Sequence, residues 1–329
     1  MSAKLRIWVL VLVTVCLQVP AGASLRVCLC GLESLFAPEV AACCAPVDRT
    51  SCCATAAERE HGAQLRRDDT CHGSERCGCH ELRAPERDGR IDVDELLSLV
   101  DDRTRVIAIS WVEFATGFRF DLERIGRFCR ERDILFVVDA IQGLGALPIN
   151  VERMHVDVLA SSAHKWLLGS EGIAIVYISD RVVEQIRPLR TGWTAIENWM
   201  KWSRYELTPR PGAERHEIGT LNPFGIAALG ASLEILLEAG IDRISAHCRE
   251  LTDQLVDGLA ATGCRIVSSR AEGEWSPIVT FTHHAATPPA IVDHLASRNI
   301  SVAHRSGRVR IAPHFYNTHD EVAQLLDAL

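Results

Sequence analysis

Apolar and polar positions alternate in blocks along the last three quarters of the chain. Ile134–Val138 is an apolar run that stops at the carboxylate of Asp139. Val156–Ala160 is a second, ending in Ser161-Ser162-Ala163-His164-Lys165, and Ile173–Ile178 is a third, after a glycine-flanked turn. Short apolar runs bounded by turn residues predict buried strands. Thr104–Trp111 reads the same way. Asp92–Val100 and Asp121–Arg132 read as helices opened by aspartate caps, the second with Leu122, Ile125, Phe128 and Cys129 on one face. Strands and helices in alternation predict an α/β fold with a parallel, doubly wound sheet.

The pattern changes downstream. Phe224–Ala239 predicts a helix closed by Gly240, followed by a long helix, Ile241–Thr262, with Ile244, Cys248, Leu251, Leu255 and Leu259 on one stripe. Strands follow at Cys264–Val267, Ile278–Thr282, Ile300–Ala303 and Val309–Ala312, with a helix at Thr287–Arg298. A last helix begins at Thr318, where Glu321 completes a capping box. These elements predict a smaller α+β domain at the C-terminus. Arg190–Gly212, rich in Trp, Arg and Pro, reads as a loop region beside a site; Trp193, Trp199 and Trp202 suit ordinary packing equally well. The expected division is 84–212 for an incomplete larger domain and 213–329 for the helix connection and smaller domain.

Residues 1–83 follow neither period. Lys4 and Arg6 precede the apolar stretch Ile7–Val19, and Ala21-Gly22-Ala23 follows, the layout of a secretory signal. The stretch is short for a transmembrane helix. Ten of the thirteen cysteines lie between Cys16 and Cys79, which splits the chain into unlike parts. Three readings stay open: disulfides in an exported segment, zinc on the Cys71–His80 tail, whose spacing fits no template, or arbitrary translation from a wrong start or shifted frame. The expectation is an irregular or disordered segment, no metal, and little packing against the remainder. The net charge of −8 leaves no basic footprint for nucleic acid. No membrane association is expected, and a cytoplasmic location is the working assumption.

The chemistry gathers at Asp139 and Lys165, each just past the end of a predicted core strand, where open parallel sheets place their sites. A lysine there is partly desolvated, which lowers its pKa and frees the amine as a nucleophile. A carboxylate in the same crevice suits a pyridinium nitrogen. A Schiff-base lysine and an acidic partner are the two protein groups that a pyridoxal phosphate site needs. Taken singly, Asp139 is also a good turn cap and Lys165 a good surface lysine.

Two linked motifs raise the specificity. D-A-I-Q-G-x-G-A-x-P-I-x-V begins at Asp139, and D-V-L-A-S-S-A-H-K-W-L-x-G begins at Asp157. Together they resemble the class V (fold type I) pyridoxal-phosphate aminotransferases, a family that includes cysteine desulfurases and isopenicillin N epimerase-like proteins. The resemblance continues through Gly192–Trp193, E-I-G-T-L-N at Glu217–Asn222 and R-V-R-I-A-P-H-F-Y-N-T at Arg308–Thr318, and spans Asp88 to the C-terminus. It implies that Gln142 bonds the cofactor's phenolic oxygen and that Ser162 and His164 hold its phosphate. It implies that Thr220 reaches the phosphate in a neighbouring subunit, and hence a homodimer. Arg310 then takes the carboxylate of an amino-acid-like substrate, with Arg305 and Arg308 close by. The expected chemistry is at Cα, ending in transamination, epimerisation or elimination. Cysteine desulfurases carry a mobile nucleophilic cysteine shortly before that arginine, and no cysteine follows Cys264. That counts against a desulfurase, and Gly192–Trp193 with Arg305–Arg310 favours the epimerase-like subgroup. Residues 1–83 show no counterpart of the family's phosphate-binding helix or ring-stacking residue. The alternative expectation is therefore a truncated or frame-shifted, inactive domain with weak cofactor binding.

Overall fold

The computed structural model describes residues 86–87, 89–201 and 207–329. The Cys-rich segment 1–83, its signal-like stretch and Trp202 lie outside the described residues.

A two-residue ribbon, β1 (Glu86–Arg87) with β2 (Arg90–Ile91), leads into helix α1 (Val93–Ser98). Asp92 caps α1 by accepting from the Asp94 and Glu95 amides. Next come β3 (Val106–Ser110), α2 (Leu122–Glu131), β4 (Leu135–Asp139), β5 (Val158–Ser162) and β6 (Ala174–Ile178). Asp121 caps α2, and Leu122, Ile125 and Cys129 on its inner face are buried against Ile109, Phe136 and Val138. The sheet order is β3-β4-β5-β6.

Three of these strands are parallel, but β6 runs antiparallel to β5, so the sheet is mixed and not wholly parallel as the alternation predicts. The reason is the connection. A parallel return requires a crossover, whereas the segment between Ser162 and Ala174 is a compact turn without a helix, which lets the chain only double back.

The second body is built from α3 (Pro223–Ala239), α4 (Ile241–Ala261), β7 (Cys264–Ile266), β8 (Val279–His283), α5 (Pro288–Ala296), β9 (Ala303–Arg305), β10 (Arg308–Ile311) and α6 (His319–Asp327). Its sheet, β7-β8-β10-β9, is antiparallel throughout. Leu251, Leu255 and Leu259 of α4, Leu295 of α5 and Val322 and Leu325 of α6 cover it. This is a smaller α+β unit beside a doubly wound α/β sheet. The strand predicted at Ile300–Ala303 instead begins at Ala303. Asn299 turns to φ 61 and the Ile300 amide bonds the Leu295 carbonyl, so these residues close helix α5 before the chain can pair. Among the described residues no single helix is long and apolar enough to cross a membrane.

Four consecutive carbonyls join the two bodies. Phe114 accepts from Arg310 Nη1 at 2.8 Å, Ala115 from Thr280 Oγ1 at 2.9 Å, Thr116 from Ser268 Oγ, and Gly117 from Ser276 Oγ at 2.7 Å. Gly117 has φ +76, and a Cβ there would sit 2.4 Å from the Ile278 carbonyl oxygen, so the loop cannot close with another residue.

Asp157, fully buried just before β5, is the ionic anchor of the first sheet. It accepts from the Phe136 amide at 2.9 Å and from Arg181 through Nε at 2.9 Å and Nη2 at 2.5 Å, with Ser179 Oγ at 3.3 Å. It ties β4, β5 and the chain leaving β6 at one point. Removing one partner of a buried pair strands the other. Asp157→Ala is expected to lower unfolding stability by about 3–5 kcal/mol, measured by urea denaturation. A loss below about 1 kcal/mol, the range of an exposed pair, would show that solvent already screens the cluster.

Candidate active site

Asp139 is the last residue of β4, and Ser162 is the last residue of the neighbouring strand β5. Asp139 pairs with Ala160, so the segment carrying Ser162, His164 and Lys165 leaves the same end of the sheet. The Asp139 side chain is exposed to solvent yet has protein packed around much of it. That crowding pushes its carboxyl above the usual carboxylate range. The Ile141 amide, bonded to Oδ1 at 2.9 Å, and the nearby charge of Lys165 pull it back. Lys165 is half-buried, Ser162 half-buried and His164 exposed.

Trp166, next to the lysine, fixes the turn. Its Nε1–H donates to Gln142 Oε1 at 3.4 Å, which commits the amide oxygen and reserves the amide N–H groups as donors. Gln142 is buried in the turn after β4. Gly145 follows at φ +103, where a Cβ would stand 2.3 Å from the Trp166 carbonyl oxygen. Gly145 therefore lets the two motifs touch, while Gly143, where a Cβ would stand 2.6 Å from Trp111 Cε3, lets the turn pack on that indole.

His314 holds Trp166 from the other side. The rings stack at 5.0 Å, and His314 Nε2–H donates to the Trp166 carbonyl at 3.3 Å. Its Nδ1 accepts from the Phe315 amide at 2.8 Å, and Tyr316 stacks on its outer face at 4.9 Å. Burial pulls its pKa down to about 4. Sequence reasoning missed this residue. Its signal is present in the A-P-H-F-Y motif, four residues after Arg310.

Arg310, on β10, reaches the Phe114 carbonyl in the loop that leaves β3. That loop begins at Trp111, whose amide donates to the Asp139 carbonyl at 2.8 Å. The Arg310 Nε is buried without a hydrogen-bond partner, and so is Oε1 of Glu113 nearby. Burial and then the charge of Arg305 lower the Arg310 pKa; Glu113 opposes them. A guanidinium with a spare desolvated donor beside a second cation is suited to an incoming carboxylate. Arg305 is exposed on β9 and donates to the His304 carbonyl at 2.8 Å. Thr220 is exposed in the segment that leads into α3.

The donor set, a carboxylate, an amine, an amide and a hydroxyl past neighbouring strand ends, fits pyridoxal phosphate at its ring nitrogen and its anchor. The fold is that of the fold type I pyridoxal-phosphate enzymes. The chain belongs to the aminotransferase class-V family, whose profile matches residues 60–325 and so begins upstream of Asp88. It is 26% identical over 246 residues to the uncharacterized aminotransferase YcbU of Bacillus subtilis, covering 74% of this chain and 64% of that protein. It is 27% identical over 264 residues to a probable cysteine desulfurase of Methanothermobacter thermautotrophicus, covering 73% and 64%. The apo structure of a cysteine desulfurase from Thermococcus onnurineus superposes with a TM-score of 0.67 at 27% identity, over 74% of this chain and 64% of that one. The chain thus spans a little under two thirds of the length of these relatives.

These relatives overturn the exclusion of cysteine desulfurases drawn from the missing cysteine after Cys264. A sulfur-accepting cysteine is one residue on a mobile loop. Its absence does not outweigh a scaffold shared across some three quarters of the chain.

His314 generates a pH prediction. Its folded pKa of about 4 lies below the unfolded value of 6.5, so the unfolded chain binds the extra proton between them. Stability from neutral His314 is full above pH 6.5 and falls as pH drops toward 4, by about 3 kcal/mol at most. Urea denaturation at pH 7 and pH 4.5 is expected to show this loss in the parent and a smaller one in His314→Gln. Equal losses would mean that His314 does not titrate differently in the two states.

Proposed function

We propose that the chain forms the catalytic scaffold of a pyridoxal-phosphate enzyme of the cysteine desulfurase kind, acting on a sulfur-bearing amino acid. The observation that carries the reading is the pair Asp139 and Lys165, electrically coupled past adjacent strands, in a scaffold like that of cysteine desulfurases. Lys165 anchors the cofactor. Asp139 holds the proton of the pyridine nitrogen, Gln142 donates to the ring oxygen, and Ser162 and His164 hold the phosphate. The bound cofactor supplies an electron sink for charge developing at Cα. The Lys165 amine, half-buried and beside a carboxylate, takes and returns the Cα proton. Arg310 orients the substrate by its carboxylate, and Arg305 adds positive charge at the mouth.

Cys129, Cys248 and Cys264 are all buried, and burial pushes the thiols of Cys129 and Cys248 up to about 12. Among the described cysteines, Cys129 and Cys248 are therefore unsuited to receive sulfur as thiolates, and burial closes off Cys264. The sulfur leaves to a thiol other than these three. Three free buried thiols also suit a reducing, cytoplasmic setting.

Thr220 supports a homodimer. It lies between Ile218 and Phe224, which are 45% and 86% exposed, and Ile235 and Leu237 are exposed on the same helix, α3. Exposed apolar side chains on α3 and beside Thr220 suit a two-fold contact, at which Thr220 serves the neighbour's cofactor.

The test uses the full chain with added pyridoxal phosphate. Borohydride reduction and peptide mapping are expected to place the label on Lys165, and none should be fixed in Lys165→Ala. With L-cysteine and a reducing thiol, the loaded protein is expected to release sulfide, and Lys165→Ala to lose at least about 10²-fold of that rate. Label on another lysine would refute the anchor. Correct labelling without sulfide would refute the sulfur substrate. A monomer by light scattering at full cofactor occupancy would refute the role of Thr220.

A further inference from the structure

A second cluster of chemically active side chains lies outside the site described above. His247 and Glu250 stand one turn apart on α4, and His319 is the first residue of α6, packed against it. Nδ1 of His247 lies 4.0 Å from Glu250 Oε2, and Nε2 of His319 lies 3.8 Å from the same oxygen. The three atoms fall within 4.8 Å of one another.

The hydrogen bonds behind them decide what they present. The other nitrogen of His247, Nε2, meets the Asn317 carbonyl at 3.0 Å; a carbonyl only accepts, so Nε2 carries the proton. The other nitrogen of His319, Nδ1, meets Gln254 Oε1 at 2.6 Å. The Gln254 amide is oriented by its own Nε2, which donates to the His319 carbonyl at 3.1 Å, so Nδ1 of His319 carries the proton as well. Each ring therefore keeps an N–H on its far side and turns its other nitrogen toward the same carboxylate oxygen. A cation placed between the three atoms would meet one ligand atom from each residue. Imidazoles whose far N–H is held by a carbonyl or carboxylate are the usual support of a metal-ligand histidine.

We propose that His247, Glu250 and His319 bind a divalent cation of the zinc type. Two imidazoles and one carboxylate select zinc over magnesium or calcium, and water completes the fourth position. Zinc bonds of about 2.0–2.1 Å in a tetrahedron place ligand atoms roughly 3.4 Å apart. The present spacing closes to that by small rotations of Glu250 and His319, whose side chains are more than half exposed. The cation pins α6 to α4. It also braces Asn317, which accepts the His314 amide on Oδ1 at 2.9 Å and so holds the loop that backs Trp166. The site is independent of the proposed substrate and cofactor.

The experiment is a zinc titration of the full chain under reducing conditions, in competition with a chromophoric chelator. The parent is expected to bind one equivalent more than His247→Ala, His319→Ala or Glu250→Gln; zinc held by cysteines is common to all and cancels. Gln254→Ala is expected to keep the equivalent but bind it about 10–100-fold more weakly. Zinc should raise the thermal midpoint of the parent more than that of Glu250→Gln, an exposed change that leaves the helix intact should a histidine variant fail to fold. Equal stoichiometry in the parent and Glu250→Gln would overturn the site, and so would equal thermal shifts.

Discussion

The four-carbonyl clasp at Phe114–Gly117 is the constraint on which the active-site arrangement depends. A loop that leaves a parallel strand has carbonyls without ladder partners, and burying them unpaired would cost about 1–3 kcal/mol each. Here the other body supplies a guanidinium and three hydroxyls, one for each carbonyl in turn. The same contacts fix Arg310 at the end of the sheet from which Asp139 projects. Position of the arginine and satisfaction of the loop are thus one event. Glu113 shares in it: Oε2 accepts from the Ala115 and Thr116 amides and shapes the loop that Arg310 meets.

Trp166 plays the corresponding part for the lysine. Its indole holds Gln142 and its carbonyl holds His314, so the cofactor turn is fastened to the first sheet and to the C-terminal unit. The stack with His314 leaves the imidazole too dry to charge at neutral pH, which keeps it a hydrogen-bond partner and not an acid. The two fastenings, at Arg310 and at His314, lie within one short stretch after β9. Motion of that stretch would disturb the substrate side and the lysine side together.

Much of this is legible in the sequence. Asp121 and Thr318 are caps by side-chain chemistry, and both cap their helices. The α4 stripe of Leu251, Leu255 and Leu259 is a periodic signal that packing obeys. Asp139 and Lys165 could be placed near strand ends because apolar runs stop abruptly there, although Asp139 is itself the last residue of β4. Strand direction was not legible, since hydrophobic runs look alike in parallel and antiparallel sheets. Only the helix-free turn before β6 decides the direction. The clasp was equally hidden, because nothing local to Ser268, Ser276 and Thr280 marks them until the fold brings them over one hundred residues to their acceptors. The desulfurase exclusion failed for a related reason: a single loop position was weighed against a whole scaffold.

The turn that carries Lys165 is a hairpin, and that has a kinetic consequence. β5 and β6 meet across a separation of at most about twenty residues, whereas the clasp joins residues 152 to 196 apart in sequence. Loop closure makes distant contacts slow to form and local ones fast. The order of assembly is therefore built in. The nascent chain shapes the lysine turn early, as a local structure, and seats its arginine only when the last strands have arrived.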